Sequence, residues 1–374
     1  MAIKILNRRK FNKQLAKGIG AASLMSTLPL ACTSAGMKQD KQLGIALVGL
    51  GSYARRLADA LQETKHCKLT GLVTGTPEKE KTWGKKYNVP ASNIYNYQNF
   101  DEIAKNSAID IVYVVLPNSM HADFSIRAAK AGKHVICEKP MAMDVKESKE
   151  IIAACEAANV KLGMGYRMHS EPYTQEVKRF AKEKTFGKPL FTTSGAAYKM
   201  RGNPDQWRLK KELAGGGALY NMGVYAIQCA IYGTGERPLA VSAQEFKTDP
   251  EYFKEVDETI TMQMLMTNGV VANLQTSHNM SMNDLYVSCE NGWYRLEPAH
   301  NYGPIKGVTS NGVMDFPVVN QQAEQMDDFA LHILEGAPNL APGEMGLRDM
   351  QIMEAVYESI DKGGKRIDLD LVEF

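Results

Sequence analysis

A lysine in the first half of the chain stands where a chemical role is expected. Cys137-Glu138-Lys139-Pro140 ends a short apolar run that has the composition of a buried β-strand. Ligands of parallel α/β sheets bind beyond the carboxyl ends of the strands, so the amine is expected to face a bound molecule. An amine in this position can exchange a proton with a bound molecule. A phosphate clamp and one half of a surface ion pair are the alternative roles.

A second group of polar residues occurs further along the chain. Trp207-Arg208 precedes a run of three glycines at 215–217, and Asn221 and Tyr225 follow it. The glycines admit close approach to the backbone at the start of a helix. Asn221 and Tyr225 are four residues apart, so they share one face of that helix.

A glycine-rich turn predicts a nucleotide site. Gly49-Leu-Gly51-Ser-Tyr-Ala54 follows a buried strand and opens a helix. Gly49 permits the tight turn, Gly51 lets a pyrophosphate approach the backbone, and Ala54 is small enough for close helix–strand packing. The phosphates would sit at the helix N-terminus, where free N–H groups favour anions. Ser52 and Tyr53 belong to the same predicted contact surface.

The end of the second predicted strand favours NADP over NAD. An acidic residue there would bind the ribose hydroxyls and repel a 2′-phosphate. The segment instead carries the hydroxyls of Thr74 and Thr76 and the ammonium of Lys79. Arg55 or Arg56 would also reach the phosphate, or both are solvated helix residues.

The pattern of apolar residues predicts the elements that position these groups. Strand and helix signals alternate over residues 43–166, which predicts a right-handed, doubly wound parallel sheet of the Rossmann type in an α/β protein. The predicted strands cover residues 45–48, 67–73, 109–116, 134–137 and 160–166. The predicted helices cover residues 53–64, 100–107, 122–131 and 145–158.

The pattern changes after residue 166 and predicts a C-terminal α+β domain with a large, mostly antiparallel open sheet. Its predicted strands cover residues 188–199, 239–248, 258–267, 270–278 and 285–289. Its predicted helices cover residues 172–184, 321–334 and 344–362, with a further helix starting near Gly215. The predicted divisions are a leader at 1–35, a linker arm at 36–42, a dinucleotide-binding domain at 43–166, and a substrate-binding and oligomerisation domain at 167–374 whose last helix can pack back on the first domain.

The first residues of the chain predict export. Arg8-Arg9 precedes an apolar stretch over residues 15–30, which is too short and too rich in Gly, Ala and Ser for a membrane span. A twin arginine ahead of such a stretch is typical of proteins exported in a folded state, here to the periplasm. The segment ending at Cys32 resembles the cleavage box of bacterial lipoproteins and predicts a lipid anchor on that residue. Cleavage after Ala35 without a lipid is the alternative.

Composition and cysteine spacing exclude several kinds of partner. The leader carries six Lys and Arg residues and no acid before Cys32, so its removal takes the formal net charge from +2 to −4. A mildly acidic mature chain without a basic run argues against nucleic acid as a partner. The remaining cysteines are scattered singly, with no pair at metal-ligand or redox spacing. We therefore predict core cysteines and no metal site.

These motifs together resemble the glucose–fructose oxidoreductase / inositol dehydrogenase (Gfo/Idh/MocA) family. The segments that carry the resemblance are residues 111–123, 131–140, 165–169, 206–209, 212–219 and 341–344. The Glu-Lys-Pro and Gly-Gly-Gly segments, in that order, are specific to the family. The resemblance implies a nucleotide domain followed by an α/β domain whose open sheet forms a homodimer or a homotetramer.

The resemblance also implies roles for single residues. Lys139 is implied as the proton-transfer residue, with Tyr225 hydrogen-bonded to the same oxygen. The family commonly carries an aspartate at the position of Asn221. An amide orients a substrate but exchanges no proton, so more of the catalysis falls on Lys139 and Tyr225.

Two further sets of ligands follow from the same resemblance. The implied sugar-hydroxyl ligands are Arg167, His169 and Arg208, with a plain polar loop residue as the alternative for His169. The implied cofactor contacts beyond the glycine turn are Leu116, Pro117, Asn118, His121, Glu138, Lys139, Arg167, Trp207 and Arg208.

The combined prediction is an exported NADP-dependent oxidoreductase that acts on sugars or polyols. No free nicotinamide pool is expected outside the cytoplasm, so the enzyme would retain its cofactor. It would oxidise an aldose and then reduce a ketose in a ping-pong cycle. The alternatives are a single-substrate sugar dehydrogenase or keto-sugar reductase, an NAD-dependent glycosidase, and a cofactor-loaded binding protein without turnover.

Overall fold

The computed structural model describes residues 42–371 of the 374-residue chain, and these residues form two β-sheets with helices packed against them. The predicted leader, its twin arginine and Cys32 lie outside the described residues. No helix among residues 42–371 is long and apolar enough to cross a membrane.

The first sheet has six parallel strands in the order β3-β2-β1-β4-β5-β6. The strands are β1 Leu43–Val48, β2 Cys67–Val73, β3 Ile94–Tyr95, β4 Ile111–Val114, β5 His134–Cys137 and β6 Leu162–Met164. All six residues of β1 are buried, as expected for a central strand that is covered on both faces. The strand order reverses between β1 and β4, so a crevice is expected at the carboxyl ends of these two strands.

Four helices connect these strands and cover the sheet. They are α1 Ser52–Ala60, α2 Pro77–Tyr87, α3 His121–Lys130 and α4 Val145–Ala157. The sequence analysis did not predict α2, in which only Trp83 and Gly84 are buried and the apolar pattern is correspondingly weak. The segment predicted as a helix over residues 100–107 forms the 3₁₀ turn Phe100–Lys105 instead.

The second sheet is mixed and mostly antiparallel, with nine strands in the order β14-β13-β12-β11-β7-β10-β9-β8-β15. Its strands are β7 Pro189–Ala197, β8 Pro238–Phe246, β9 Thr259–Met266, β10 Val271–Ser277, β11 Met282–Cys289, β12 Gly292–Leu296, β13 Gly307–Thr309, β14 Gly312–Met314 and β15 Ile367–Asp368. One central pair, β7 with β10, is parallel. The predicted fold class is confirmed, although β12 and the two- and three-residue strands β3, β13, β14 and β15 were not predicted.

The helices of the second half are α5 Pro172–Glu183, α6 Lys211–Ala214, α7 Val224–Thr234, α8 Gln321–Glu335 and α9 Gly343–Asp361. A π-helix, Leu219–Gly223, leads directly into α7. Helix α8 contributes Met326 and Phe329 to the same apolar core as β1. Helix α9 also contacts the first domain, where Glu354 accepts a 2.7 Å hydrogen bond from the backbone N–H of Val145.

Candidate active site

A cavity of about 740 Å³ opens at the carboxyl ends of the parallel strands, and residues of both domains line it. The predicted site residues that line it are Gly49, Gly51, Ser52, Tyr53, Thr74, Thr76, Lys79, Leu116, Pro117, Asn118, His121, Glu138, Lys139, Arg167, Trp207, Arg208, Asn221 and Tyr225. The topology therefore brings together most of the groups predicted from the sequence. Residues 42–371 contain no cluster of His, Cys, Asp and Glu that could hold a metal ion.

Two predicted residues do not line this cavity. Ala54 is fully buried beneath the turn, so it acts through helix–strand packing and does not contact a ligand. His169 is also buried, with Nε2 3.3 Å from Gln228 Oε1 and Nδ1 3.4 Å from the Lys178 ammonium. Burial lowers the pKa of His169 to about 3. The structure thus contradicts the prediction that His169 is a sugar ligand, because its ring packs behind the site.

The glycine turn forms one end of the cavity. Gly49 has a φ of +92°, and a Cβ at this position would stand 2.5 Å from the carbonyl oxygen of Val115. A Cβ on Gly51 would meet no atom within 4 Å and would project into open space. Helix α1 has no side-chain N-cap and no acidic residue in its first turn. Free backbone N–H groups beside an open surface without an acidic side chain fit the phosphates of a dinucleotide.

The adjacent surface carries hydroxyl and cationic groups. The hydroxyl of Thr74 accepts a 3.2 Å hydrogen bond from the backbone N–H of Thr76, which holds the turn in place. Lys79 and Arg56 both line the cavity, whereas Arg55 does not. Glu138 is the sole acid among the described residues that line the cavity, so no carboxylate faces this end.

Lys139 projects into the middle of the cavity from the end of β5. Its ammonium donates a short hydrogen bond to the backbone carbonyl of Asn221 and lies 4.8 Å from the ring centroid of Tyr225. Burial lowers the pKa of Lys139 well below its ordinary range, and the guanidinium groups of Arg208 and Arg167 lower it further. The carboxylate of Glu138 opposes this shift. The result is an amine that can be neutral near neutral pH.

Glu138 precedes Lys139 and is a buried residue of the cavity wall. Its Oε1 accepts from the hydroxyl of Tyr113 at 2.8 Å, and its Oε2 accepts from the backbone N–H of Lys139 at 3.2 Å. Burial raises the pKa of Glu138, and these hydrogen bonds oppose the rise. Tyr113 in turn accepts from Gln325 of α8 at 2.9 Å. A Cβ on Gly165 would stand 2.4 Å from Glu138 Oε1, so this glycine leaves the room that the carboxylate occupies.

Asn221 lies in the π-helix and faces a buried histidine. Its Nδ2 donates to the hydroxyl of Tyr198 at 3.0 Å and to Nε2 of His278 at 2.9 Å. Burial and the nearby cations lower the pKa of His278 to about 3, so this histidine is neutral and can accept the bond. The amide of Asn221 is thereby held in a fixed orientation toward the cavity.

Asp257 holds the glycine-rich segment that leads to Asn221. Its Oδ1 accepts from the backbone N–H of Gly217 at 2.7 Å, and its Oδ2 accepts from that of Leu219 at 2.8 Å. A Cβ on Gly217 would stand 2.0 Å from the Asp257 carbonyl oxygen. At Gly217 the predicted close approach is therefore made by the protein's own backbone.

The Asn118 amide nitrogen and both ring nitrogens of His121 are hydrogen-bonded to backbone carbonyls of the protein. Asn118 Nδ2 donates to the carbonyl of Ala214 at 2.8 Å. The His121 nitrogens lie 2.8 Å from the carbonyl oxygen of Pro140 and 3.0 Å from that of Leu116. These two side chains fix the loops after β4 and β5, and with them the position of Lys139.

Arg167 connects the site to a loop that the sequence analysis missed. Its guanidinium donates to the carbonyls of His300 at 2.6 Å and Asn301 at 2.9 Å. It also lies 5.3 Å from the ring centroid of Tyr225 and 4.4 Å from that of Tyr302. The missed residues that line the cavity include Tyr97, Tyr198, Asn283, His300, Asn301 and Tyr302. They lie at strand ends or in loops, and no periodic signal marks them.

Comparison with known proteins identifies the family to which this chain belongs. The family described as "Oxidoreductase family, NAD-binding Rossmann fold" matches residues 43–166, and the GFO/IDH/MocA C-terminal domain matches residues 174–295. The chain belongs to the Gfo/Idh/MocA family. The predicted family and the predicted class of NAD(P)-dependent oxidoreductase are thereby confirmed.

Several relatives resemble this Gfo/Idh/MocA protein over most of its length. The structure of aldose–aldose oxidoreductase from Caulobacter crescentus, complexed with glycerol, is 38% identical, covers 88% of this chain and 100% of its own, and has a TM-score of 0.85. The D-xylose 1-dehydrogenase (NADP(+)) of Haloarcula marismortui is 28% identical over 86% of this chain and 91% of its own length. A levoglucosan dehydrogenase solved with NADH and L-sorbose is 20% identical, covers 89% and 100% of the two chains, has a TM-score of 0.76 and shows the same fold.

Proposed function

We propose that this Gfo/Idh/MocA protein is an NADP-dependent oxidoreductase acting on the CH–OH groups of sugars or polyols. The observation that carries the proposal is Lys139, a desolvated amine beside Tyr225 in the same cavity as the glycine turn. The relatives described as xylose dehydrogenase and aldose–aldose oxidoreductase support the substrate class.

The choice of NADP over NAD rests on charge. A 2′-phosphate adds negative charge at the end of β2, where Lys79 lines the cavity; Arg56 of α1 lines it as well, and no acid of the described residues lines this end. Charge-assisted hydrogen bonds from these groups favour the phosphorylated ribose. The NADP-dependent xylose dehydrogenase supports this choice, whereas the levoglucosan dehydrogenase structure contains NADH.

The residues of the chain divide the chemistry between them. The bound nicotinamide supplies the two-electron oxidation or reduction. Lys139, as the neutral amine, accepts the hydroxyl proton of the carbinol that is oxidised, and as the ammonium it returns the proton in the reverse direction. The Tyr225 hydroxyl hydrogen-bonds the same oxygen, and the Asn221 amide and Arg208 orient the remaining hydroxyls. Asn221 exchanges no proton, which leaves Lys139 as the acid–base group.

We further propose that the cofactor stays bound and that an aldose and a ketose are turned over in alternation. We also propose export by the twin-arginine route to the periplasm, with a lipid on Cys32. A retained cofactor makes turnover possible there, because it needs no external pool of nicotinamide nucleotide. The predicted assembly is a homodimer or homotetramer formed through the open face of the nine-stranded sheet.

The test is purification from the periplasmic fraction without added nucleotide, followed by a screen of aldose and ketose pairs. We expect bound NADP(H), its reduction by an aldose alone, and its reoxidation on addition of a ketose. Purified protein without nucleotide, or turnover only with added NADP, would contradict retention of the cofactor. The alternative of a single-substrate dehydrogenase would then be favoured. Release of sugar from an aryl glycoside without net change of the cofactor would select a glycosidase. Light scattering of the same sample gives the size of the assembly.

A further inference from the structure

One loop of the C-terminal domain crosses to the nucleotide-binding domain at the cavity. The loop over residues 297–306 joins β12 to β13, and Tyr302 near its middle lines the cavity together with Gly51 and Tyr53. The guanidinium of Arg56, on α1, lies 4.0 Å from the ring centroid of Tyr302. The ring of Tyr53 lies 6.1 Å from the same ring. The tyrosine thus bridges the two domains beside the phosphate-binding turn.

Hydrogen bonds from two residues outside the loop hold the backbone next to Tyr302. Asn283 Oδ1, on β11, accepts from the backbone N–H of Ala299 at 2.7 Å and from that of His300 at 2.9 Å. Arg167 donates to the carbonyls of His300 and of the next residue, and its guanidinium lies 4.4 Å from the Tyr302 ring centroid. The loop is therefore anchored on both sides of its backbone, and Tyr302 contacts two cations.

Tyr302 lies at the boundary between the cavity and solvent. The residue is 48% exposed although it lines the cavity, so one part faces the interior and the rest faces solvent. Arg56 lies in the second turn of α1, about one and a half helical turns after Gly51, and its side chain lines the same cavity as the glycine turn, where phosphate anions are favoured. A cation stacked on an aromatic face and close to a bound anion is stabilised by both.

We propose that Tyr302, stacked on Arg56, is a cofactor-binding residue that the C-terminal domain supplies and that slows release of the dinucleotide. This inference deepens the proposed function, because it rests on the proposal that the cofactor is held through turnover. The bound dinucleotide, with its phosphates on α1, leaves only when the Tyr302–Arg56 contact separates. Binding of the phosphates in turn strengthens this contact by fixing Arg56.

The test measures nucleotide release directly and needs no sugar. The purified protein is loaded with NADPH or NADH, an excess of the oxidised nucleotide is added in a stopped-flow instrument, and the loss of bound-cofactor fluorescence is followed. We expect Tyr302→Ala to release the nucleotide about 10-fold faster, which corresponds to about 1.4 kcal/mol. Tyr302→Phe keeps the ring and is expected to stay within a factor of two of the wild type. Tyr286→Ala, on β11 and outside the cavity lining, serves as a control for loss of a tyrosine ring, provided that light scattering shows an unchanged assembly size.

Two outcomes would overturn the inference. One is an unchanged release rate in folded Tyr302→Ala, and the other is Tyr302→Phe releasing as fast as Tyr302→Ala. If Tyr302→Ala fails to fold, Tyr302→Leu provides an apolar side chain of similar reach without the aromatic face, and the same 10-fold change is expected. A wild-type preference for NADH would contradict the NADP assignment alone, because the ratio of release rates can be measured with either nucleotide.

Discussion

Removal of the positive charge at Arg167 is expected to move the pH profile of sugar oxidation to higher pH. Arg167 and Lys139 both face the ring of Tyr225, and the arginine is one of the two cations that lower the pKa of the lysine. Oxidation requires the neutral amine, so kcat/KM rises with pH through the lysine pKa and levels off above it. In Arg167→Gln the Lys139 ammonium loses a neighbouring positive charge, so the pKa of Lys139 rises. The rising limb of kcat/KM therefore moves to higher pH.

The size of the expected pH shift follows from the distances of the two charges to the Tyr225 ring. The Lys139 ammonium lies 4.8 Å and the Arg167 guanidinium carbon 5.3 Å from the Tyr225 centroid, so the two charges are at most about 10 Å apart. At an effective dielectric constant of about 20, two unit charges at about 10 Å interact by about 1.7 kcal/mol. Since one pKa unit is about 1.4 kcal/mol, the limb should move by about one pH unit. At a pH below both pKa values, this is about a tenfold loss of kcat/KM.

Arg167→Lys is the matched control. Both substitutions remove the forked hydrogen bonds to the carbonyls of His300 and Asn301, but the lysine variant keeps the charge. The assay is kcat/KM for aldose oxidation from pH 5.5 to 10 for the three proteins, with folding checked by thermal unfolding. If the rising limbs of the pH profiles of Arg167→Gln and Arg167→Lys coincide, the electrostatic reasoning is refuted. Any shift that the two variants share would then come from movement of the loop.

Three other predictions follow from the site and the core. Lys139→Ala should lower kcat by a factor of about 10² to 10⁴ while the protein still retains nucleotide, measured by turnover and by the nucleotide content of the purified protein. Lys79→Ala should weaken NADP(H) binding by about 10- to 100-fold and leave NAD(H) binding within a factor of two, measured by fluorescence titration; equal losses for both nucleotides would contradict the 2′-phosphate assignment. His169 and His278 are buried with pKa values lowered to about 3, so stability should be complete above the unfolded-state pKa of about 6.5 and should fall by about 2 kcal/mol per histidine on acidification to pH 5. Urea unfolding at the two pH values checks this, and His169→Gln should lose less stability than the wild type; an equal loss would show that His169 does not contribute.

The parallel sheet and the residues at its strand ends could be predicted because their signals are local. The apolar runs that become β1 and β4 are continuous, as strands covered on both faces require, and β5 is apolar and buried after its first residue. The rule that ligands bind at the carboxyl ends of such strands then selects Gly49 and Lys139 without knowledge of the tertiary contacts. Both residues line the cavity.

The C-terminal contribution could not be predicted in the same way. Tyr302 reaches the cavity because Asn283 and Arg167 hold its loop, and these residues are far apart in sequence. The error at His169 has a similar origin. Side chains in a 3₁₀ turn are about 120° apart, so Arg167 and His169 point in different directions although only one residue separates them.

The charges of the cavity divide into two groups with separable effects. Among the described residues, four cationic side chains besides Lys139 and one carboxylate line it, so an anionic ligand is favoured overall. Arg208 and Arg167 lower the pKa of Lys139, whereas Arg56 and Lys79 line the cavity from α1 and α2. Substitutions in the second pair should therefore change cofactor affinity without moving the pH profile. Substitution of Arg208 should move the profile, and this division explains how one desolvated cavity can attract phosphates and still keep its catalytic amine neutral.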